Sequence, residues 1–420
     1  MFFRMLRKEK LIMGTTVVSH SLTHVAELTF PSTALLVTHD LLEQGKGYAE
    51  IGMATFISAL LFGLAALPSG RLVDKLGARR VLLIFLFGTG LSLMALSFSF
   101  DFTVFTVLLA LVGLFSGLYH PAGTTMISLG IREHGKAMGA HGVGGNLGLA
   151  VTPVFAASLA RALGDWRYAY FMIGTLPILL GLFILFRLTE VGNKEEADGG
   201  DEDECNNDAD AGRFKDSSIL VAPLVLFFVM AVFNGMTYRG LMTFLPSYFA
   251  EKVQVDWQAL EFLSRGPGED MQVIIGGVVT TFILLLGVLG QYTGGNLADR
   301  VKKEKLFCSV FFITAPILLS LAFLDGLALV AVTGLFAFLY FANQPVGNST
   351  LPRYTSPKVR GLVFGAFFFT NFGAGSIMSW IAGETGERFE LSYIFYIFAA
   401  CLLTAGLVGI FLALRTRDLD

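Results

Sequence analysis

Three residues able to hold or pass a proton stand inside an apolar run. Residues 11–38, LIMGTTVVSHSLTHVAELTFPSTALLVT, are long enough to cross a bilayer, yet carry His20, His24 and Glu27 in their middle. At 100° per residue, positions 20, 24, 27 and 31 share one narrow helical face. A charged side chain at membrane depth costs about 2.5–3.5 kcal/mol on insertion scales, so this face should look into protein or a watery cavity. Glu27 is the candidate proton carrier: burial disfavours its carboxylate and a nearby cation favours it, so a change of surroundings loads or releases a proton. A structural carboxylate permanently paired with a buried partner is the alternative. His20 and His24 titrate near neutrality and could relay protons, or they could simply hydrogen-bond between helices.

The second charged group in an apolar run is Arg239, in FNGMTYRGLMTFLPSYF (233–249). Arginine keeps its charge, so it needs a partner or solvation. Two roles fit: internal partner of Glu27, or docking point for an anionic solute. A snorkelling arginine near the bilayer surface is the plain alternative, against which Tyr238 and Asn234 suggest a polar cavity face. His120 precedes Pro121, which frees a backbone carbonyl for polar contacts in a cavity. The amides Asn146, Gln344, Asn348 and Asn371 serve either helix packing or solute contact. His141 is expected to be structural, and the six histidines show no metal-ligand spacing, so no metal is expected. The glycines Gly135, Gly139, Gly144 and Gly148 are expected to let one helix approach another closely.

The elements that carry these residues follow from composition. Of 420 residues, 54% are hydrophobic and 15% charged, with Phe 40 and Gly 47, against about 25% charged in a soluble protein. Mean hydropathy is +0.67. This is a polytopic membrane protein in expectation. Twelve apolar segments can be marked, near 11–38, 48–70, 81–99, 103–129, 137–161, 167–188, 218–248, 272–298, 305–324, 327–350, 361–383 and 391–414. Lys and Arg fall 23 on one side and 6 on the other, with Arg239 left over. By the positive-inside tendency both termini are cytoplasmic. The basic start MFFRMLRKEK lacks a small-residue cleavage site and reads as a retained tail. Cys205, Cys308 and Cys401 form no disulfide framework.

The chain divides into residues 1–189, an acidic stretch at 190–216 expected to be a disordered cytoplasmic linker, and residues 217–420. The flanking parts repeat each other. GRLVDKLGARR (70–80) matches GNLADRVKKEK (295–305), Pro121 and Gly123 match Pro345 and Gly347, and Asn146 and Gly148 match Asn371 and Gly373. FPS (30–32) against LPS (245–247) sets His24 opposite Arg239.

On these residues the chain resembles the major facilitator superfamily over essentially its whole length. The loop with Gly70, Asp74, Gly77, Arg79 and Arg80 looks like its signature G-x-x-x-D-x-x-G-x-[RK]-[RK]. The second copy keeps Gly295, Asp299 and Arg300, with Lys302 where the later glycine would stand. The resemblance implies an all-α integral membrane fold of twelve transmembrane helices in two pseudo-symmetric six-helix bundles that rock about a central site. It further implies a cytoplasmic gate in which Asp74 latches to helix 11 and Asp299 to helix 5, completed by Arg71, Arg79 and Arg80. SHSLTH (19–24), GLYHP (117–121) and GKAMGAHGVGGNLG (135–148) are similar to the fosmidomycin-resistance efflux group. That group carries acids where this chain has Ala122 and His24.

The expectation is therefore a secondary active transporter of a small organic solute, proton-coupled and exporting, in the cell inner membrane. Glu27, His24 and His20 would couple protons. Arg239, His120, Tyr238, Asn234, Asn146, Gln344 and Asn371 would line the cavity. Uptake or exchange of an anionic metabolite on Arg239 is the second reading, and a non-transporting membrane sensor the third. With no Walker loop, dinucleotide fingerprint or nucleophile triad, enzyme chemistry, cofactor and nucleic acid are not expected, and the resemblance implies a monomer.

Overall fold

The computed structural model describes residues 6–42, 47–188, 220–253, 268–298 and 300–417. The acidic linker and Asp299 lie outside the described residues. Helices run as α1 (Arg7–Leu41), α2 (Tyr48–Leu76), α3 (Ala78–Leu96), α4 (Phe102–Ser116, resuming as Tyr119–Gly130), α5 (His134–Leu163) and α6 (Trp166–Arg187). The second set is α7 (Val221–Lys252), α8 (Gly268–Ala298), α9 (Lys303–Ser320), α10 (Gly326–Phe341, resuming as Asn343–Thr350), α11 (Pro357–Phe368 and Ile377–Arg388) and α12 (Ile394–Arg415). Eleven of these spans are long and apolar enough to cross a membrane. The remaining one is α1: its 35 residues suffice in length, but the polar side chains on its buried face pull down its hydropathy. A helix sheltered by its neighbours can afford what a lipid-facing one cannot.

Packing repeats with a shift of six helices. In one half α1 lies on α5, α2 on α4 and α3 on α6; in the other α7 lies on α11, α8 on α10 and α9 on α12. The halves meet through α2 with α11 and α5 with α8, two contacts that the same shift exchanges. The helix breaks repeat too. α4 is interrupted before Tyr119 and α10 before Asn343. Pro121 and Pro345 are the cause, because each ring removes the hydrogen bond to the carbonyl four residues earlier. In α4 that carbonyl belongs to Gly117, and the next one, of Leu118, accepts from Ser69 Oγ at 2.9 Å.

Glycine sets the closest approaches. A Cβ on Gly148 would lie 2.5 Å from the Ser21 carbonyl oxygen, and one on Gly144 2.6 Å from Val17, so α5 rests against α1 through bare backbone. Gly139, expected to share that task, faces open space instead. At the end away from the termini, Gly52 of α2 sits against the Ser379 backbone and Gly383 of α11 against that of Tyr48. Tyr48 N–H donates to Glu387 Oε2 across this seam at 2.9 Å. Gly63 meets Gly373 further in, where a Cβ would stand 2.5 Å from the opposite Cα.

The halves are thus sealed on the side away from the termini. On the other side Gly70 has no neighbouring atom within 4 Å, and Arg71 and Asp74 are exposed. Asp74 accepts no hydrogen bond among the described residues, and the side chains at 357–361, where helix 11 starts and its latch is expected, lie outside the description. Gly77 turns α2 into α3 at φ +86°, a backbone that side-chain-bearing residues avoid. Arg79 donates to the Leu185 carbonyl at 2.9 Å, tying the turn to the end of α6. Arg80 and Arg300 are exposed, and a Cβ on Gly295 would lie 3.8 Å from that of Pro345, in ordinary contact.

A side chain at Gly63 must push the seam apart, at about 1–3 kcal/mol for an overpacked contact. In a background without Cys205, Cys308 and Cys401, Gly63→Val is expected to raise labelling of a cysteine at Thr55 by a membrane-impermeant thiol reagent applied from the side away from the termini. Unchanged labelling contradicts the seal.

Candidate functional site

The centre of the molecule is an ion pair between the halves. Arg239 Nη1 of α7 donates to Glu27 Oε1 of α1 at 2.5 Å, with the two side chains 4% and 8% exposed. The other carboxylate oxygen accepts from His24 Nδ1 at 2.8 Å, one turn earlier on α1. Arg239 Nε donates to the Phe372 carbonyl at 3.2 Å. That carbonyl lies in a π-helical turn of α11 over Phe369–Gly373, where the helical ladder loosens. The guanidinium also lies over the rings of Phe372, Phe62 and Tyr238, at 4.9, 5.7 and 5.9 Å, in the cation–π range. Its Nη2 is buried and makes no hydrogen bond.

Beside the pair lies a cluster of histidines. His20 Nδ1 donates to the His141 carbonyl at 2.8 Å, and the rings of these two stack at 4.1 Å. His20 lies 5.0 Å from the ring of His24 and 5.2 Å from that of His120. Tyr119 donates to the Thr16 carbonyl at 2.5 Å and stands 2.9 Å from His141 Nε2. The cluster exists because Gly145 has no side chain: a Cβ there would run into the His20 ring. His141 belongs to this buried group rather than to the helix end alone, and nothing local in the sequence signals a partner 121 residues away.

The second feature is a cavity of about 110 Å³, bounded by both halves. That is room for several waters or part of a small solute, since one water needs about 10–15 Å³ on this measure. Asn146, Asn234, Tyr238, Gln344 and Asn371, named from the sequence for a cavity wall, line it, together with His24, named for proton coupling, and Gln291, Tyr340 and Asn343, which the sequence did not single out. An amide chain starts across the interface here: Asn146 Nδ2 donates to Gln291 Oε1 of the other half, and Gln291 Nε2 to Gln344 Oε1 within that half. Phe307, Phe341, Phe367, Phe368 and Phe372 supply flat apolar wall.

Arg239 and His120, both expected on the cavity wall, are not among its lining residues. Arg239 is turned toward Glu27 and, with it, borders a smaller gap of about 30 Å³ formed with α2 and α4. His120 is packed edge-on to Phe62 at 6.0 Å and parallel to Phe368 at 5.5 Å. Gln291 had a detectable signal, as an amide deep in an apolar span. Tyr340 and the phenylalanines did not, because 40 phenylalanines give no hint of which face lipid.

A buried ion pair at the junction of two pseudo-symmetric bundles, beside a polar cavity, defines a machine that moves solutes across a membrane. The sequence pattern of the Major Facilitator Superfamily matches residues 28–378, and the chain belongs to that family. It is a secondary transporter. Among curated proteins it is 24% identical over 396 residues to a probable L-galactonate transporter of Escherichia coli, covering 89% of this chain and 83% of that one. It is 23% identical over 419 residues to the fosmidomycin resistance protein of Escherichia coli, covering 96% and 92%. Its fold is like that of a bacterial homologue of the human lysosomal transporter Spinster in an inward-facing and occupied conformation, with TM-score 0.76, 12% identity and 97% of each chain covered.

Removing one partner of a buried pair costs about 3–5 kcal/mol, because the other charge is stranded. Arg239 cannot shed its charge, whereas Glu27 can take a proton. In thermal unfolding of the detergent-solubilised protein, Glu27→Gln should therefore destabilise by about that amount. Arg239→Leu should cost less, and the double variant should recover much of the Glu27→Gln loss. Additive losses would mean that the two charges do not depend on each other.

Proposed function

We propose that the protein couples transport of a small organic solute to protons, with Glu27 as the carrier and Arg239 as its alternating partner. The observation that carries this reading is the Glu27–Arg239 contact at 2.5 Å between α1 and α7. A pair that spans the moving halves breaks or re-forms as they rock, and the carboxyl left without its cation favours the protonated state. His24, hydrogen-bonded to Glu27 and on the cavity wall, offers the proton a route to water. His20 stands behind it. The solute would rest in the cavity, with its polar groups on Asn146, Asn234, Gln344 and Asn371 and its apolar body against Tyr238 and the phenylalanines.

Export is the direction favoured by the three stretches shared with the fosmidomycin-resistance group and by alignment along 96% of the chain to a resistance protein. The excess of Lys and Arg supports cytoplasmic termini in an inner membrane, so the seal lies outside and the cavity faces in. Asp74 with its repeat partner Asp299, and Arg71 with Arg300, would close the opposite gate in the other state. One chain holds both halves of the site, which supports a monomer.

A second reading has one observation of its own. Arg239 Nη2 is buried without an acceptor, and a similar transporter is named for L-galactonate. An anionic solute could take that nitrogen, making the protein an importer or exchanger of an organic anion.

Two measurements separate these. A thermal-shift screen of anionic, neutral and cationic compounds at two pH values should find a stabilising ligand, since binding to the folded state raises its melting point. With that ligand in proteoliposomes, a proton gradient should drive uphill movement in wild type, and Glu27→Gln should leave only downhill exchange. Uphill transport by Glu27→Gln at the wild-type rate removes the proton role. Anion-selective stabilisation that Arg239→Gln abolishes favours the second reading.

A further inference from the structure

The histidine cluster has an arrangement that proton transfer does not require. His20 and His24 lie one turn apart on α1, His120 comes from α4, and one nitrogen of each lies within 4.8 Å of the other two. Two of the rings already have the outer acceptor that supports metal-bound imidazoles. His20 Nδ1 donates to a backbone carbonyl, and His24 Nδ1 donates to the Glu27 carboxylate. In neutral imidazole that leaves Nε2 with a free lone pair on both rings. Such outer acceptors, a carboxylate or a main-chain carbonyl behind the ring, are the usual support of a metal-ligating histidine. The third ring adds an independent observation: His120 Nε2 is buried and has no hydrogen-bond partner among the described residues, an unmet need for a buried polar atom.

We infer that His20, His24 and His120 form a three-imidazole site for a late divalent transition ion, of the zinc, cobalt, nickel or copper class. Nitrogen donors select these ions over magnesium and calcium, which take oxygen. Bonds of about 2.0–2.1 Å in a tetrahedron separate the nitrogens by roughly 3.4 Å, so the rings must close in by about an ångström. Rotation about the outer side-chain torsion supplies that without moving either helix. His24 lines the cavity, which gives the ion a way in and a water for its fourth position. Glu27 stands behind His24 as the nearest negative charge. Arg239, on the far side of that carboxylate, opposes the ion, and His141 and Tyr119 complete the polar surroundings. All three ligands belong to the same half, so the site persists whichever way the halves are tilted. A bound ion would pin α1 to α4 and hold His24 in place. The inference does not need Glu27 to carry protons, but an ion on His24 would occupy the nitrogen through which the proposed proton route leaves.

The test is a Co²⁺ titration of the full chain in detergent, with any purification tag removed. The expected result is one ion per chain, with the strong visible absorption of a four-coordinate nitrogen site, bleached by one equivalent of Zn²⁺. His120→Ala and His20→Ala should each weaken binding by about 10-fold or more, the scale on which even supporting residues act. His39→Ala, at the exposed far end of α1, should bind as wild type does. A wild-type spectrum showing only the pale bands of six-coordinate cobalt overturns the site, and it does so whether or not the variants fold. Affinity unchanged by loss of His120 and His20, or abolished by loss of His39, overturns it as well.

Discussion

An arginine that cannot lose its proton, held in the apolar middle of a membrane protein, is the constraint on which the rest of the structure depends. Arg239 is 3% exposed, and α7 around it is built of Phe, Leu, Met and Val. Its charge is met by the Glu27 carboxylate, the Phe372 carbonyl and three aromatic faces. Glutamate, unlike arginine, has a neutral form within reach. The pair is therefore asymmetric: any motion that separates the two leaves a permanent cation seeking a new anion and a carboxylate seeking a proton.

Much of the architecture serves to bring those two side chains together from separate halves. α1 can carry Glu27 and its histidines because α5 lies against it through Gly144, Gly145 and Gly148, leaving no room for lipid. α11 can offer a main-chain oxygen because its ladder opens into a wide turn at Phe369–Gly373. α4 and α10 break at matching places under Pro121 and Pro345. The break in α4 is followed by His120, in the histidine cluster, and the break in α10 by Asn343 and Gln344, on the cavity wall. The two halves repeat one scaffold, and the break is followed by Tyr119 and His120 in one half and by the amides Asn343 and Gln344 in the other.

What the sequence revealed depended on how unusual each residue was in its surroundings. Glu27 and Arg239 were legible as isolated charges in apolar runs, and the repeat through FPS and LPS set α1 against α7. In the structure Pro31 and Pro246 do border one small gap. The repeat put Glu27 a turn away from Arg239; the length of the arginine side chain bridges that turn. Eleven of the spans were legible from hydropathy, and α1 from the length of the run between its charged ends, although its polar side chains keep it below the hydropathy of the others. Contacts between distant segments were not legible. The stacking of His20 on His141 depends on a missing side chain at Gly145, and the aromatic wall of the cavity is made of the residue type that also faces lipid. Arg239 and His120 were polar enough to suggest the cavity wall, but each satisfies its polar or aromatic contacts elsewhere.

The central claim is that Glu27 holds either Arg239 or a proton, and changes between them as the halves move. Infrared difference spectroscopy on reconstituted protein reads this directly through the stretch of a protonated carboxylic acid. The account predicts an ionised Glu27 in the conformation described here. When the protein is driven to the oppositely open state by crosslinks across the side bearing the termini, a protonated-carboxyl band should appear, and it should be absent from Glu27→Gln. A spectrum in which Glu27 stays ionised in both states would contradict it.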